Sequence, residues 1–296
     1  EGRARLSSLP KAADHPQRWE ADSNFLRAKL DALVNGPTTR SPILNRPIGD
    51  EWSIQPEVGL TLRGRRFVGD ESKQPATTLL IRQAGEARAD DPTVKALLAT
   101  GRAVLTVDLR ATGRGKSEGG VVHGVNDHNE AEWGLWIGRP LLGQWVLDAL
   151  TWIDAIRKFA PTSNPGIEVV GVGPIGLVGL IAAGMRPNYP TRVGLISPLV
   201  SFVAADTTPW AGLPMGLIAP GLLETADVGQ LAALNAPNRL VIAGAVEPSG
   251  QPATPARLAE GFASTRTIYT TLKTPDRLTL LDSANLSAFV QAFDGR

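Results

Sequence analysis

A glycine stands where a nucleophile would be expected to project. Residues 167–172 form a short apolar, β-branched run, Gly171-Val172-Gly173-Pro174-Ile175-Gly176 closes it, and 176–185 continue as small and aliphatic residues. A strand, a tight glycine-rich turn and a small-residue helix are the parts of a nucleophile elbow, in which the third residue of G-x-S-x-G is held exposed on a strained bend. Here that residue is Gly173, which has no side chain to attack a carbonyl, and neither Val172 nor Pro174 can replace it. The same six residues also match G-x-G-x-x-G, which sets a pyrophosphate at a helix N-terminus. Two features oppose that reading: Pro174 has no N–H to donate, and no Asp or Glu ends the next strand, 192–197, where a ribose partner is expected. The bland reading is a close strand-to-helix crossing in which small residues let backbones approach. The elbow reading is preferred, and no cofactor is expected.

The other members of a hydrolytic triad are as sparse. An acid after the strand at 239–244 would stand where the orienting carboxylate belongs, which makes Glu247 the one surviving candidate beside a plain solvated glutamate. A base should follow a strand read at 267–272, yet residues 273–285 contain no histidine. The histidines are His15, His123 and His128, all before the elbow, so the order nucleophile, acid, base cannot be completed. The competing reading is a relocated site that pairs Ser197, Ser201 or Ser249 with His123 or His128, which fall in a loop read over 113–132. His123, Asp127, His128, Glu130 and Glu132 are also metal-ligand types at close spacing, but no H-x-x-x-H or H-E-x-x-H accompanies them, and no metal is expected. Of the tryptophans, Trp145 and Trp152 share a helical face with Leu142, Ala149 and Ile156 and read as core. Trp133 and Trp136, placed before that helix, join His123 and His128 as candidates to line a pocket.

These groups need a scaffold, and the chain reads as alternating strands and helices, the pattern of a mostly parallel central sheet covered by helices on both faces. Strands are predicted over 60–68, 76–81, 103–108, 167–172, 192–197, 239–244 and 267–272; helices over 140–159, 176–185, 255–263 and 284–293. Trp19, Phe25, Leu26, Leu30 and Leu33 recur at helical spacing between Pro10 and Gly36, which predicts an N-terminal helical arm. Residues 38–55 read as a linker, so the division expected is an arm and linker over 1–59 and an α/β domain over 60–296. A Pro/Gly-rich excursion at 202–237 reads as a cap-like insertion; its apolar part, 209–223, could pack as a lid or face a partner. With 296 residues and 43% apolar content, the chain can bury one large core. Its 30 basic and 29 acidic side chains give a formal charge of +1, with no single-sign field to draw it to nucleic acid or an anionic membrane. No apolar run reaches the roughly 18 residues that span a bilayer. Zero cysteines exclude disulfides, thiolate zinc sites and thiol catalysis. The start at Glu1 leaves room for a preceding leader or domain.

Several segments in this order carry a resemblance: Leu79-Leu80-Ile81-Arg82 with Gly85-Glu86; Val107-Asp108-Leu109-Arg110-Ala111-Thr112-Gly113; Gly138-Arg139-Pro140-Leu141-Leu142-Gly143-Gln144; the elbow from Val169 to Gly176; and Ala245-Val246-Glu247-Pro248-Ser249-Gly250. From about residue 60 onward the chain resembles bacterial acetyl xylan esterase-like members of the α/β-hydrolase superfamily. The resemblance implies that fold, a serine-acid-histidine mechanism, esterified plant polysaccharide as the substrate class, and export. The chain departs from it at Gly173 and at the absent late histidine, and only Glu247 matches. The reading that follows is a catalytically degenerate carbohydrate-esterase-like domain serving binding or assembly, with a polysaccharide or a protein as partner; the alternative is an active ester hydrolase with a relocated site.

Overall fold

Short runs of Val, Ile, Leu and Thr that are buried along nearly their whole length can only be central strands, because nothing in them alternates between a wet and a dry face. In the computed structural model, which describes residues 4, 9, 12–35, 42–70, 75–122, 124–125, 127–160, 166–205 and 208–295, they build the middle of a nine-stranded sheet. In chain order the strands are β1 (Ile43–Leu44), β2 (Glu51–Glu57), β3 (Leu60–Phe67), β4 (Thr77–Arg82), β5 (Ala103–Val107), β6 (Ile167–Val172), β7 (Pro190–Ile196), β8 (Arg239–Ala243) and β9 (Leu278–Leu281). Their spatial order is β1-β2-β3-β5-β4-β6-β7-β8-β9. From β5 to β9 neighbouring strands are parallel, whereas β1, β2 and β3 form an antiparallel flank joined to β5. This is the mostly parallel sheet expected from the sequence.

Helices cover both faces. One face carries α1 (Pro16–Asn35), α4 (Leu141–Phe159), α5 (Gly176–Met185), α6 (Val228–Ala233) and α8 (Ala263–Thr271), packed through the larger apolar core; the other carries α2 (Pro92–Leu98) and α9 (Leu286–Asp294), whose Val94, Leu97, Phe289 and Phe293 are fully buried. The remaining helices are α3 (His128–Trp136) and α7 (Pro255–Gly261). The stripe read from α4 is core throughout: Leu142, Trp145, Ala149, Trp152 and Ile156 have no exposed surface. Burying an aliphatic or aromatic side chain completely contributes about 1.5–3 kcal/mol each, so this helix is a main anchor of the fold. The arm helix α1 buries Leu26 and Leu30, and Arg27 fastens it by donating to the carbonyls of Gly184 (2.9 Å) and Leu234 (3.3 Å). Phe25, expected on the same apolar face, is instead 61% exposed.

Three expectations about elements are corrected. Residues 38–55 are not all linker, because Ile43–Leu44 and Glu51–Glu57 extend the sheet; Pro56 sits where the β2–β3 register shifts, which is how a strand tolerates a residue with no ladder donor. The loop read over 113–132 contains the start of a helix, since α3 begins at His128. The run at 267–272 is helix and not strand. Its β-branched residues favour a strand locally, but Ile268 and Tyr269 pack into the core, and Thr267 and Thr270 return their hydroxyls to the carbonyls of Ala263 and Arg266. The last strand is Leu278–Leu281, which pairs with β8.

Candidate active site

Parallel strands end at one edge of the sheet, so the loops after β4, β5, β6, β7, β8 and β9 gather there, and in folds of this kind working groups sit at that edge. The β6–α5 turn has the shape of an elbow. Gly173 sits at φ +76° in the left-handed region, its N–H donates to the Ile196 carbonyl at 2.8 Å, and its own carbonyl accepts from Gly176 at 2.9 Å. A Cβ built on Gly173 meets nothing within 4 Å, so a side chain would have room. The flanking glycines do different work. A Cβ on Gly171 would lie 2.4 Å from the Gly176 Cα, so strand and helix touch backbone to backbone. The first and third glycines of G-x-G-x-x-G are thus explained by packing.

Gly173 has no side chain, and the residue after it lacks a donor as well. In esterase elbows one donor to the developing oxyanion is the backbone N–H of the residue after the nucleophile. That residue here is Pro174, which has none. The loop after β9, residues 282–285, carries no imidazole and packs its Ala284 so closely on the β8 turn that a Cβ on Gly244 would lie 2.3 Å from the Ala284 nitrogen. Glu247, the candidate acid, is engaged: Arg257 Nε donates to it at 2.9 Å and the Ala205 N–H at 3.4 Å, while Arg257 also reaches the Val203 carbonyl at 2.7 Å. The geometry is that of a clamp between loops.

The relocated site finds little support in these positions. Ser201 is buried and donates to Asp227 at 2.6 Å, and Ser249 is also buried. Ser197, with the left-handed φ of +54°, is the one strained serine; it continues β7 beside the elbow. His128 Nδ1 lies 2.8 Å from the Met215 sulfur and its Nε2 lies 3.8 Å from Glu132. His15 caps α1 by accepting from the Arg18 N–H at 3.3 Å. His123 lies outside the described residues. Among the described residues no serine hydroxyl is hydrogen-bonded to an imidazole.

The cluster read as metal-ligand types is dispersed by its own contacts. Asp127 is buried and accepts from the N–H groups of Gly216 (2.7 Å) and Met215 (3.2 Å), tying the β5 loop to the turn at 215–217 inside the cap-like insertion. Burial raises its carboxyl pKa, and those two N–H bonds oppose the shift. Glu130 accepts instead from Ser117. Trp133 and Trp136 are not recessed before α4. They stand on α3, 52% and 72% exposed, beside Ile137 at 64%. In the segment 202–237, Leu213, Leu217 and Leu222 are buried and pack into the main apolar core.

The chemistry-bearing residues that the sequence reading missed lie one loop away, after β5. Asp108 accepts from the Glu86 N–H (2.8 Å) and from Arg114 Nε (2.9 Å), and a Cβ on Gly113 would lie 2.0 Å from its Oδ1. Arg110 grips the fully buried Asp148 with Nε and NH2 and reaches Glu57 and Gln144 with NH1; Arg139 holds Glu57 from the other side. Burial by itself would lower the Arg110 pKa, but the charges and hydrogen bonds of Asp148 and Glu57 outweigh it and hold the guanidinium above its ordinary value. One signal was legible: Asp148 is the only acid among the apolar residues between Leu141 and Ile153.

No protein-family model and no curated protein sequence matches this chain. Solved structures do. A Bacteroides fragilis protein assigned as an acetyl xylan esterase is similar over 94% of this chain and 80% of its own, with a TM-score of 0.70 and 15% identity. A family 15 glucuronoyl esterase from Caldicellulosiruptor kristjansonii is similar over 95% and 86%, with a TM-score of 0.62 and 17% identity. Another, from Teredinibacter turnerae, is similar over 98% and 89%, with a TM-score of 0.61 and 13% identity. At such identities the likeness concerns architecture, and together with the strand order and the elbow it establishes that this chain has the α/β-hydrolase fold, as its sequence implied.

Proposed function

We propose that the chain is a catalytically degenerate carbohydrate-esterase-like domain that binds esterified polysaccharide without turning it over. The observation that carries this reading is the elbow itself: Gly173 bends as a nucleophile would, with bare backbone at its tip and Pro174 where an oxyanion donor belongs. Without nucleophile and base, binding and a complete oxyanion hole leave on the order of a thousandfold rate gain over water, and here that hole is also short of a donor. The fold resembles carbohydrate esterases, which motivates the ligand class. Trp133 and Trp136, three residues apart on the exposed side of α3, offer aromatic faces suited to stacking on sugar rings.

The test has two arms. A fluorophosphonate probe is expected to label no serine, with p-nitrophenyl acetate hydrolysis at background; stoichiometric labelling of Ser197 or any other serine overturns the reading in favour of a relocated ester hydrolase. Acetylated xylo-oligosaccharides are expected to bind in calorimetry and to lose affinity in Trp133→Ala/Trp136→Ala. Copurification of a defined protein at fixed stoichiometry, without oligosaccharide binding, would instead make the domain an assembly module.

A further inference from the structure

At the opposite edge of the sheet, where the parallel strands begin, four arginines surround an open hollow of about 690 Å³. Arg102 precedes β5, Arg192 lies early in β7, Arg239 opens β8 and Arg277 precedes β9; the acids facing them are Glu168 of β6 and Asp294 of α9. Both carboxylates are engaged by a single cation. Arg102 is 6% exposed, holds Glu168 through Nε and NH2, contacts Asp294 through NH1 and lies over the Phe293 ring at 5.0 Å. Thr78 donates to the same Glu168 at 3.0 Å.

The other three guanidiniums are far less satisfied. Arg192 reaches Glu168 only at 3.4 Å, on an oxygen already bonded to Arg102. Arg277 donates to the Pro237 carbonyl at 3.3 Å, a neutral partner. Among the described residues no hydrogen bond or ion pair engages the Arg239 guanidinium. Among the described residues lining it, four cations face two anions, an excess of two positive charges in a concave site. Guanidinium groups are planar forks matched to phosphate and carboxylate oxygens, and a concave wall focuses their field. The volume falls in the range of small-ligand sites.

We propose that this hollow binds a small anion carrying at least two charged oxygen groups, clamped by Arg192, Arg239 and Arg277 against the wall formed by Arg102. Phosphates and polycarboxylates share that chemistry, and the probes separate them. The site lies across the sheet from Gly173 and stands independently of the polysaccharide reading.

The experiment is isothermal titration calorimetry of the whole chain with pyrophosphate and, separately, with citrate, at low ionic strength. Saturable one-site binding of at least one probe is expected, weakened by added salt as screening requires. Binding of pyrophosphate alone identifies phosphate as the ligand chemistry; binding of citrate alone identifies carboxylate. Arg239→Gln/Arg277→Gln should weaken binding by about tenfold or more, since each charge-assisted contact is strong. Arg88→Gln, a change at an exposed arginine outside the hollow, should leave it unchanged. Amide shifts of the unmodified protein provide a measurement that does not depend on a variant folding: Gly101 and Thr191, which line the hollow, should move on titration. Failure of both probes to saturate, an unchanged affinity in the double variant, or shifts confined elsewhere would overturn the proposal.

Discussion

Two loops at one edge of the sheet, following the strands on either side of β4, have opposite characters. The loop after β5 is crowded with ions: Arg110 holds Glu57 and the buried Asp148, and the half-exposed Arg114 joins the buried Asp108 to Glu86. The loop after β6, proposed above as an emptied nucleophile elbow, has a glycine and a proline at its tip. Both are geometrically defined, one by charge pairing and the other by close backbone contact. The difference teaches that the polar side chains here hold loops in place, while the bend after β6 is fixed by close backbone contact and by the Gly173 N–H bond to Ile196. A scaffold and the chemistry placed on it rest on different residues.

The comparison can be broken most forcefully at Asp148. Replacing it with alanine leaves Arg110 buried beside an emptied site, and Asp148→Ala should cost about 3–5 kcal/mol in urea unfolding. A cost near that of a surface substitution would mean that the lattice is not what fixes the β5 loop. The next largest effect is expected at the elbow's flank, where Gly171→Ala would press a methyl group against the Gly176 Cα at 2.4 Å. Overpacking of that kind costs about 1–3 kcal/mol, read as a lower unfolding midpoint with unchanged slope.

Gly173→Ser sharpens the contrast. The position has room for a side chain but a φ of +76°, so the variant should fold at a cost of about 1–2 kcal/mol. It should still fail to hydrolyse p-nitrophenyl acetate above background, since the loop after β9 carries no imidazole and Pro174 has no N–H to assist it. Turnover in this variant would show that a base lies within reach. The smallest effect is a pH dependence at Asp127. Its folded pKa is raised above the ordinary value of 3.8, so the folded state holds the proton more tightly than the unfolded chain does. Its contribution is therefore fully present below pH 3.8 and is lost as pH rises through the folded value. The stability of the wild type relative to Asp127→Asn should accordingly increase as pH falls through that window; a difference that stays flat, or shrinks on acidification, would contradict the burial argument.

Much of the fold was legible in the chain. The runs that became β4, β5, β6 and β8 are buried along nearly their full length and could be little else, and α5 matched its predicted limits of 176–185. The segment at 267–272 was not legible, because β-branched propensity is weak and the packing of Ile268 and Tyr269 overrides it. Of the antiparallel flank, β1 and β2 were hidden by the prolines around them, and α3 by a start of His, Asn and Glu with Gly134 in its middle. Of the candidate site, the tight glycine turn after β6 could be read directly, since Gly173 takes the left-handed φ that such a turn requires. The engagement of Glu247 by Arg257 could not, since ten residues of loop and helix separate the partners.

By itself, the sequence determined what the turn after β6 cannot supply: no folding can turn Gly173 into a hydroxyl or give Pro174 an N–H. Tertiary structure alone decided what the remaining charges do. Attraction between ions depends on distance and burial, and both arise only when β2, the β5 loop and α4 converge on Arg110, or when the starts of β5, β7 and β8 bring Arg102, Arg192 and Arg239 to one hollow.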